Sequence, residues 1–252
     1  MIPVLVDTAE IPAETLASGV TVIPVLDVAG AAGGRLSRRL VRVPADGEHA
    51  GTAGPAGELW FVTSGSGSLE AGGRPVPVRP GHGIAVPPGA AYRLTADPAP
   101  RRSGGLTIDM VTLPGLTIDM VTLPGLPADP GAGLLRVTDL ADCAAEVTGD
   151  RRFRVLFGPG TGYPAATQFV GEIPPGRAPD HSHSYDELVL VLGGEGVVHL
   201  VGAATYPLRP GSCLHLPPGQ RHCLENTGTA MLRVLGVFQP GGSPAAKQPA
   251  LS

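Results

Sequence analysis

Three histidines and a glutamate in the second half of the chain have the residue types and spacing of a metal site. His181, His183 and Glu187 have the same parity in sequence, so on an extended chain their side chains can point to one side. His222 supplies a third imidazole from a later segment. Three neutral imidazoles and a carboxylate suit a divalent first-row transition metal. We therefore predict one metal ion with coordination positions left open, as in catalytic sites.

Polar residues on the neighbouring segments are candidates to contact a substrate beside this metal. Arg177 could clamp a substrate carboxylate or phosphate through two parallel hydrogen bonds. Cys223 adjoins a ligand, but we expect it to face away because adjacent strand residues point to opposite faces. The full set of candidates is Gln168, Arg177, Tyr185, Tyr206 and His215.

The elements that must position these residues occur twice along the chain. Each half has a Glu-Leu-led apolar strand (ELWFV from Glu58, ELVLV from Glu187), then a Gly-rich turn, an Arg-Pro-Gly turn and a strand that ends in Pro-Pro-Gly. The offset is 129 residues at the glutamates and 130 at the Arg-Pro-Gly turns, which begin at Arg79 and Arg209. The repetition predicts two similar domains in tandem.

The composition favours an all-β fold. The 37 glycines and 28 prolines separate short apolar runs, and 42% of residues are hydrophobic, which disfavours a disordered chain. We expect barrels over residues 1–125 and 126–240, followed by a disordered tail over 241–252. The segment GLTIDMVTLP occurs at 105–114 and again at 115–124, and one copy is expected to be the closing strand of the first barrel.

The residues around the predicted ligands resemble the two motifs of the cupin superfamily. His181 to Gly194 follows H-x-H-x₃-E-x₆-G, and Gly211 to Asn226 follows G-x₅-P-x-G-x₂-H-x₃-N. The glycine that opens the first motif departs from the pattern, since only four residues separate Gly176 from His181. The resemblance implies two double-stranded β-helix barrels. It also implies that Fe, Mn, Ni, Cu or Zn is bound by the three histidines and Glu187.

The first half lacks most of the metal ligands. When Glu58 is aligned with Glu187, Thr52, Gly54 and Tyr92 occupy the positions of the three histidines. A lone carboxylate cannot hold a transition metal, so we expect a single metal per chain, in the second barrel. A small-ligand pocket around Glu58, Trp60 and Tyr92 is the alternative role for the first.

Composition excludes several classes of partner. A net charge of −4 gives no basic surface for nucleic acid, and no apolar run is long enough to span a membrane. The first residues lack the pattern of a signal peptide, so we expect a cytoplasmic protein. Cys143, Cys213 and Cys223 form no CxxC motif, which disfavours a thiolate zinc site.

The predicted site supports more than one function. The leading hypothesis is a metal-dependent enzyme that acts on a small organic molecule, either as a dioxygenase or, by Lewis-acid chemistry, as an isomerase, cyclase or lyase. Oxalate decarboxylase-like bicupins usually carry ligands in both halves, so the degenerate first half disfavours that branch. A non-catalytic small-molecule-binding protein is the competing class. A homodimer is possible.

Overall fold

A computed structural model describes residues 3–31, 35–55, 57–98, 115–122 and 135–245. Apart from two three-residue 3-10 helices at Leu140–Asp142 and Pro159–Thr161, its elements are all strands. Residues 4–122 form β1 Val4–Asp7, β2 Glu14–Thr15, β3 Thr21–Ala29, β4 Arg35–Pro44, β5 Glu48–Thr52, β6 Glu58–Ser64, β7 Gly67–Glu70, β8 Val76–Val78, β9 His82–Val86, β10 Ala91–Ala96 and β11 Gly115–Thr122. Residues 136–239 form β12 Arg136–Asp139, β13 Ala145–Thr148, β14 Arg151–Phe157, β15 Thr167–Ile173, β16 Gly176–Arg177, β17 Asp186–Gly193, β18 Gly196–Leu200, β19 Thr205–Leu208, β20 Ser212–Leu216, β21 His222–Asn226 and β22 Leu232–Gln239.

The strands form two barrels, each made of one seven-stranded and one four-stranded antiparallel sheet. In the first barrel the orders are β12, β9, β6, β11, β4, β3, β2 and β5, β10, β7, β8. In the second they are β1, β20, β17, β22, β15, β14, β13 and β16, β21, β18, β19. This confirms the predicted all-β fold with two tandem double-stranded β-helix barrels.

The long apolar strands β6 and β17 are buried on both faces. In β17, Val189 and Val191 pack inside the second barrel, whereas Leu188 and Leu190 pack in a cluster that contains residues of both barrels. In β6, Leu59 belongs to that shared cluster, and Trp60 packs inside the first barrel. The two seven-stranded sheets therefore pack against each other. This explains why both strands are continuously apolar instead of alternating.

The two halves exchange their leading strands. β1, from the start of the chain, pairs with β20 of the second barrel, with Val4 opposite His215. β12 pairs with β9 of the first barrel, with Arg136 opposite Ala85. Each barrel is thus completed by the strand that precedes the other barrel in sequence.

Matching ion pairs hold the exchanged strands at the Arg-Pro-Gly turns. Arg209 contacts Asp7 at the end of β1, and Arg79 contacts Asp139 at the end of β12. Gly81 and Gly211 close these turns with φ of 94°, a left-handed conformation that favours glycine. The repeated turn motif therefore fixes the exchange in both halves.

An ion pair is buried between the barrels. Arg38 on β4 and Asp119 on β11 lie 3.1 Å apart, and both side chains are 0% exposed. Arg38 Nη1 also donates to Cys213 Sγ on β20 at 3.3 Å. Burial raises the pKa of Asp119 to about 6, although the charge of Arg38 opposes the rise. The contact of Arg38 with Cys213 connects this buried pair of the first barrel to the second barrel.

The second copy of the duplicated segment closes the first barrel. β11 lies between β4 and β6, with Ile118 opposite Val41 and Val62. The first copy, at 105–114, and the predicted boundary between residues 125 and 126 lie outside the described residues. In the tail, Gly242 exchanges two hydrogen bonds with Thr167 at 2.8 and 2.9 Å. The expected disorder therefore does not extend to 241–245, and 246–252 are not described.

Candidate metal centre

Two neighbouring backbone segments bring the predicted ligands together. His181 lies before β17, and His222 is the first residue of β21. Their backbones form a reciprocal antiparallel bridge, with N–O distances of 2.9 and 2.8 Å. The bridge holds the two imidazole rings side by side, with centroids 4.5 Å apart.

The third imidazole completes a compact group. The ligand atoms of His181, His183 and His222 all lie within 4.8 Å of one another. Over the part of the chain that the structure describes, this is the one group of three or more ligand-type side chains at that spacing. His183 Nε2 lies 3.0 Å from Glu187 Oε2, so the carboxylate adjoins the triad. The structure thus brings all four predicted ligands together.

Backbone carbonyls orient two of the imidazoles. His181 Nδ1 lies 3.2 Å from the Pro179 carbonyl, and His222 Nδ1 lies 2.9 Å from the Gln220 carbonyl. When Nδ1 donates to a carbonyl, the Nε2 lone pair remains free to coordinate a metal. His183 Nε2 is buried and faces the Glu187 carboxylate at 3.0 Å, so these two predicted ligands adjoin each other.

The electrostatics keep the imidazoles neutral. Burial, together with the neighbouring imidazoles, lowers the pKa of His183 to about 3, and burial and His181 lower that of His222 to about 4. Burial also lowers the pKa of His181 and raises that of Glu187 to about 7. Neutral imidazole is the form that binds metals. The donor set of three imidazoles and one carboxylate therefore fits a divalent transition metal.

The four residues line a small cavity with an aromatic wall. The volume is about 100 Å³, and the wall includes Phe153 and Phe169. Tyr185 stacks on His183 with centroids 4.8 Å apart and on Phe238 with centroids 4.3 Å apart. Tyr185 is thus one candidate that the structure places beside the triad.

Two of the candidate catalytic residues face the other barrel instead of the cavity. Gln168 is buried, and its Nε2 donates to the Trp60 carbonyl of the first barrel at 3.3 Å. His215 Nε2 contacts Asp186 Oδ1 at 2.8 Å, and the other oxygen of that carboxylate accepts from Ala31 N. The prediction that Gln168 and His215 act beside the metal is corrected, because both sit on strand faces that pack against the first barrel.

The other two candidate catalytic residues lie on the outer surface. Tyr206 on β19 is 38% exposed. Arg177 donates to Cys223 Sγ at 3.3 Å and contacts Asp180 at 3.4 Å. Neither residue lines the cavity, so the structure corrects their predicted places as well. Cys223 faces away from the metal ligands, as strand alternation predicts.

Sequence reasoning missed Arg151, which lines the cavity from the first position of β14. β14 carries no recognisable motif that would mark Arg151. The sequence signal that could have found it is strand alternation, since Arg151 shares a strand face with the apolar Phe153.

In the first barrel, a guanidinium lies beside the glutamate that aligns with Glu187. Arg39 Nη2 donates to both oxygens of Glu58, at 3.1 and 3.3 Å. Trp60 Nε1 donates to Glu58 at 2.7 Å, and Gly54 N donates to it at 3.2 Å. Trp60 and Tyr92 are buried in the barrel core. Glu58 is therefore fully occupied by the protein's own donors, which leaves no carboxylate for a small ligand.

Strand pairing also corrects the alignment at one position. Tyr92 pairs with Gly51, as His222 pairs with His181, so Gly51 and not Thr52 is the counterpart of His181. The offset between matching residues of the two halves is therefore 130 at Gly51 and His181, whereas it is 129 at Glu58 and Glu187. A side chain at Gly51 would lie 2.6 Å from the Tyr92 hydroxyl, so the phenol occupies the space that an imidazole would need.

Comparisons with known proteins agree with this fold. The Cupin domain family model matches residues 169–238, and the AraC-like ligand binding domain model matches residues 48–150. No curated protein matches the sequence significantly.

Solved structures with two barrels superpose on nearly the whole chain. Oxalate decarboxylase of Bacillus subtilis has a TM-score of 0.70 at 11% identity, covering 94% of this chain and 77% of its own. Protein Ylba of E. coli has a TM-score of 0.70 at 12% identity, covering 96% and 92%. A Pseudomonas aeruginosa protein described as glyoxylate-induced has a TM-score of 0.71 at 16% identity, covering 99% and 92%. The Cupin domain match in the second half, the AraC-like match over most of the first and this fold together identify the chain as a bicupin-like protein of the cupin superfamily.

Proposed function

We propose that the chain is a metal-dependent enzyme that acts on a small organic molecule, with one divalent transition metal held in the second barrel by His181, His183, Glu187 and His222. The observation that carries the proposal is that His181, His183 and His222 place their ligand atoms within 4.8 Å of one another, with the Glu187 carboxylate 3.0 Å from His183 Nε2. Backbone carbonyls orient two of the three imidazoles. Three imidazoles and a carboxylate at this spacing form a donor set that suits a divalent transition metal.

The cavity supports a reaction on a compact substrate. When bound, the metal supplies a Lewis acid that can polarise a carbonyl or carboxylate oxygen. The aromatic side chains of Phe153, Phe169 and Tyr185 line the cavity and restrict the space beside the metal site. Stacking between His183 and Phe238 holds Tyr185 in place, so its phenol is fixed relative to a bound substrate.

Lewis-acid chemistry, as in an isomerase, cyclase or lyase, is the reaction type that we favour over O₂ activation. A volume of about 100 Å³ suits a molecule of a few non-hydrogen atoms. The names of two neighbours in fold also refer to small acids, oxalate and glyoxylate. Those names describe the neighbours, and at 11% and 16% identity they support this proposal only as analogies.

The test is elemental analysis of protein purified without added metal, followed by O₂-uptake measurements. We expect one divalent metal per chain, its loss in His181→Ala and its retention in His199→Ala. His199 is a matched control because it contacts Glu225 on the outer sheet, away from the cavity. Metal retained in His181→Ala would refute the ligand set. Substrate-dependent O₂ consumption would assign the site to a dioxygenase, and metal without turnover of any small acid or ketone would favour a binding protein.

A further inference from the structure

Arg151 and Arg152, the first two residues of β14, are charged residues of the cavity wall that the proposed metal chemistry does not use. Arg151 shares a strand face with Phe153, which also lines the cavity, whereas Arg152 is exposed. Burial lowers the pKa of His181, and the positive charge of Arg151 lowers it further. The guanidinium is therefore within electrostatic reach of the triad.

The guanidinium of Arg151 is poorly paired for its burial. Its side chain is 26% exposed, and Nε is buried without a hydrogen-bond partner among the described residues. The one described carboxylate within 4.0 Å is that of Asp150, at 3.9 Å and 74% exposed. By contrast, the more exposed Arg35 and Arg93 each contact a carboxylate at 2.6 Å. Arg151 thus has donors available at the cavity.

No acidic residue of the cavity compensates this charge directly. Glu172 also lines the cavity, but its carboxylate lies 3.6 Å from Arg154 and 4.0 Å from Arg233. Glu187 adjoins the triad and is a proposed metal ligand. A cation partly removed from water without a partner is costly, and an anionic ligand would remove that cost.

We propose that Arg151 binds a carboxylate group of the substrate and thereby restricts the site to small organic carboxylates. This inference rests on the proposed function, since it takes the cavity beside the triad as the substrate site. A planar guanidinium matches a carboxylate through two parallel hydrogen bonds. The volume of about 100 Å³ fits a short-chain acid better than a phosphate ester. Arg151 is then the residue that determines specificity.

The test is an NMR titration of the metal-free protein with acetate, acetamide and inorganic phosphate. Acetate and acetamide match in size and differ in charge. We expect acetate to bind at least about tenfold more tightly than acetamide, and this preference to disappear in Arg151→Gln. Arg93→Gln is the control, since it removes a positive charge from an exposed site of the first barrel, away from the cavity. Its acetate affinity should equal that of the wild type.

Three results would overturn the inference. These are equal acetate affinity in the wild type and Arg151→Gln, tighter binding of phosphate than of acetate, and loss of metal binding in Arg151→Gln. If Arg151→Gln fails to fold by circular dichroism, Arg151→Lys and Arg151→Met serve instead, with Lys expected to retain part of the affinity and Met none. Because acetate binding is measured without metal, the two failures are distinguishable: a wild type that binds no metal refutes the proposed function, whereas equal acetate affinities with metal bound normally refute this inference alone.

Discussion

Arg39 contacts both carboxylate oxygens of Glu58 in the first barrel, at the position where the second barrel has Glu187 beside three imidazoles. Arg39 lies on β4 and Glu58 on β6, and β11 pairs with both strands. The first barrel thus stabilises its buried carboxylate with a cation from its own chain. The second barrel leaves the equivalent carboxylate, that of Glu187, available to a bound metal cation.

This difference predicts opposite results for the same substitution in the two barrels. Glu187→Gln should weaken metal binding by at least about 100-fold, because it removes a charged ligand. Glu58→Gln should leave the metal content unchanged but lower the free energy of unfolding by about 1–3 kcal/mol, since Arg39 loses its charged acceptor. Elemental analysis and urea denaturation measure the two effects. A large loss of metal in Glu58→Gln would contradict the single-site assignment.

Metal affinity should fall with falling pH because metal displaces a proton from Glu187. With a pKa of about 7, Glu187 of the metal-free protein carries a proton below pH 7. The imidazoles of His183 and His222, with pKa values of about 3 and 4, are already neutral at pH 6, and burial lowers the pKa of His181 as well. The apparent Kd should therefore rise about fivefold when the pH falls from 7 to 6. Calorimetry in buffers of different ionisation enthalpy counts the protons, and a release of three at pH 6 would contradict neutral His183 and His222.

The buried pair between the barrels should show strong coupling. Arg38→Met or Asp119→Leu alone leaves one buried charge without its partner and should lower the free energy of unfolding by about 3–5 kcal/mol. The double variant should be less destabilised than either single variant, because no charge remains buried. Chemical denaturation of the four proteins completes the cycle. Additive losses would mean that the pair does not act as a unit.

Removal of β1 should loosen the second barrel, although β1 belongs to the first half of the sequence. Deletion of residues 1–7 leaves β20 paired with β17 alone, at the edge of the sheet, and should lower the free energy of unfolding by about 2–4 kcal/mol, for the few backbone hydrogen bonds lost. Hydrogen exchange should accelerate at 212–216 and stay slow at 82–86, where β12 still pairs with β9. Faster exchange confined to the first barrel would contradict the exchanged topology.

The metal ligands could be predicted because their arrangement is local. Parity brings His181, His183 and Glu187 to one side, and the motif around His222 is contiguous. Gln168 and His215 could not be placed in the same way, because their strands are buried on both faces and apolar patterning does not tell the cavity from the barrel interface. Arg39 meets Glu58 only through pairing with β11, which no local pattern encodes.

The exchange of leading strands also determines when, during synthesis of the chain, each barrel can receive its last strand. β12 meets β9 soon after both have left the ribosome, whereas β1 is made first and its partner β20 lies at Ser212–Leu216. Throughout most of synthesis, β1 carries unpaired backbone groups and the apolar side chains of Val4 and Val6. Such long-range pairing slows folding and leaves a strand open to wrong partners. Among the described strands, β1 therefore waits longest for its partner and has the most need of protection from aggregation.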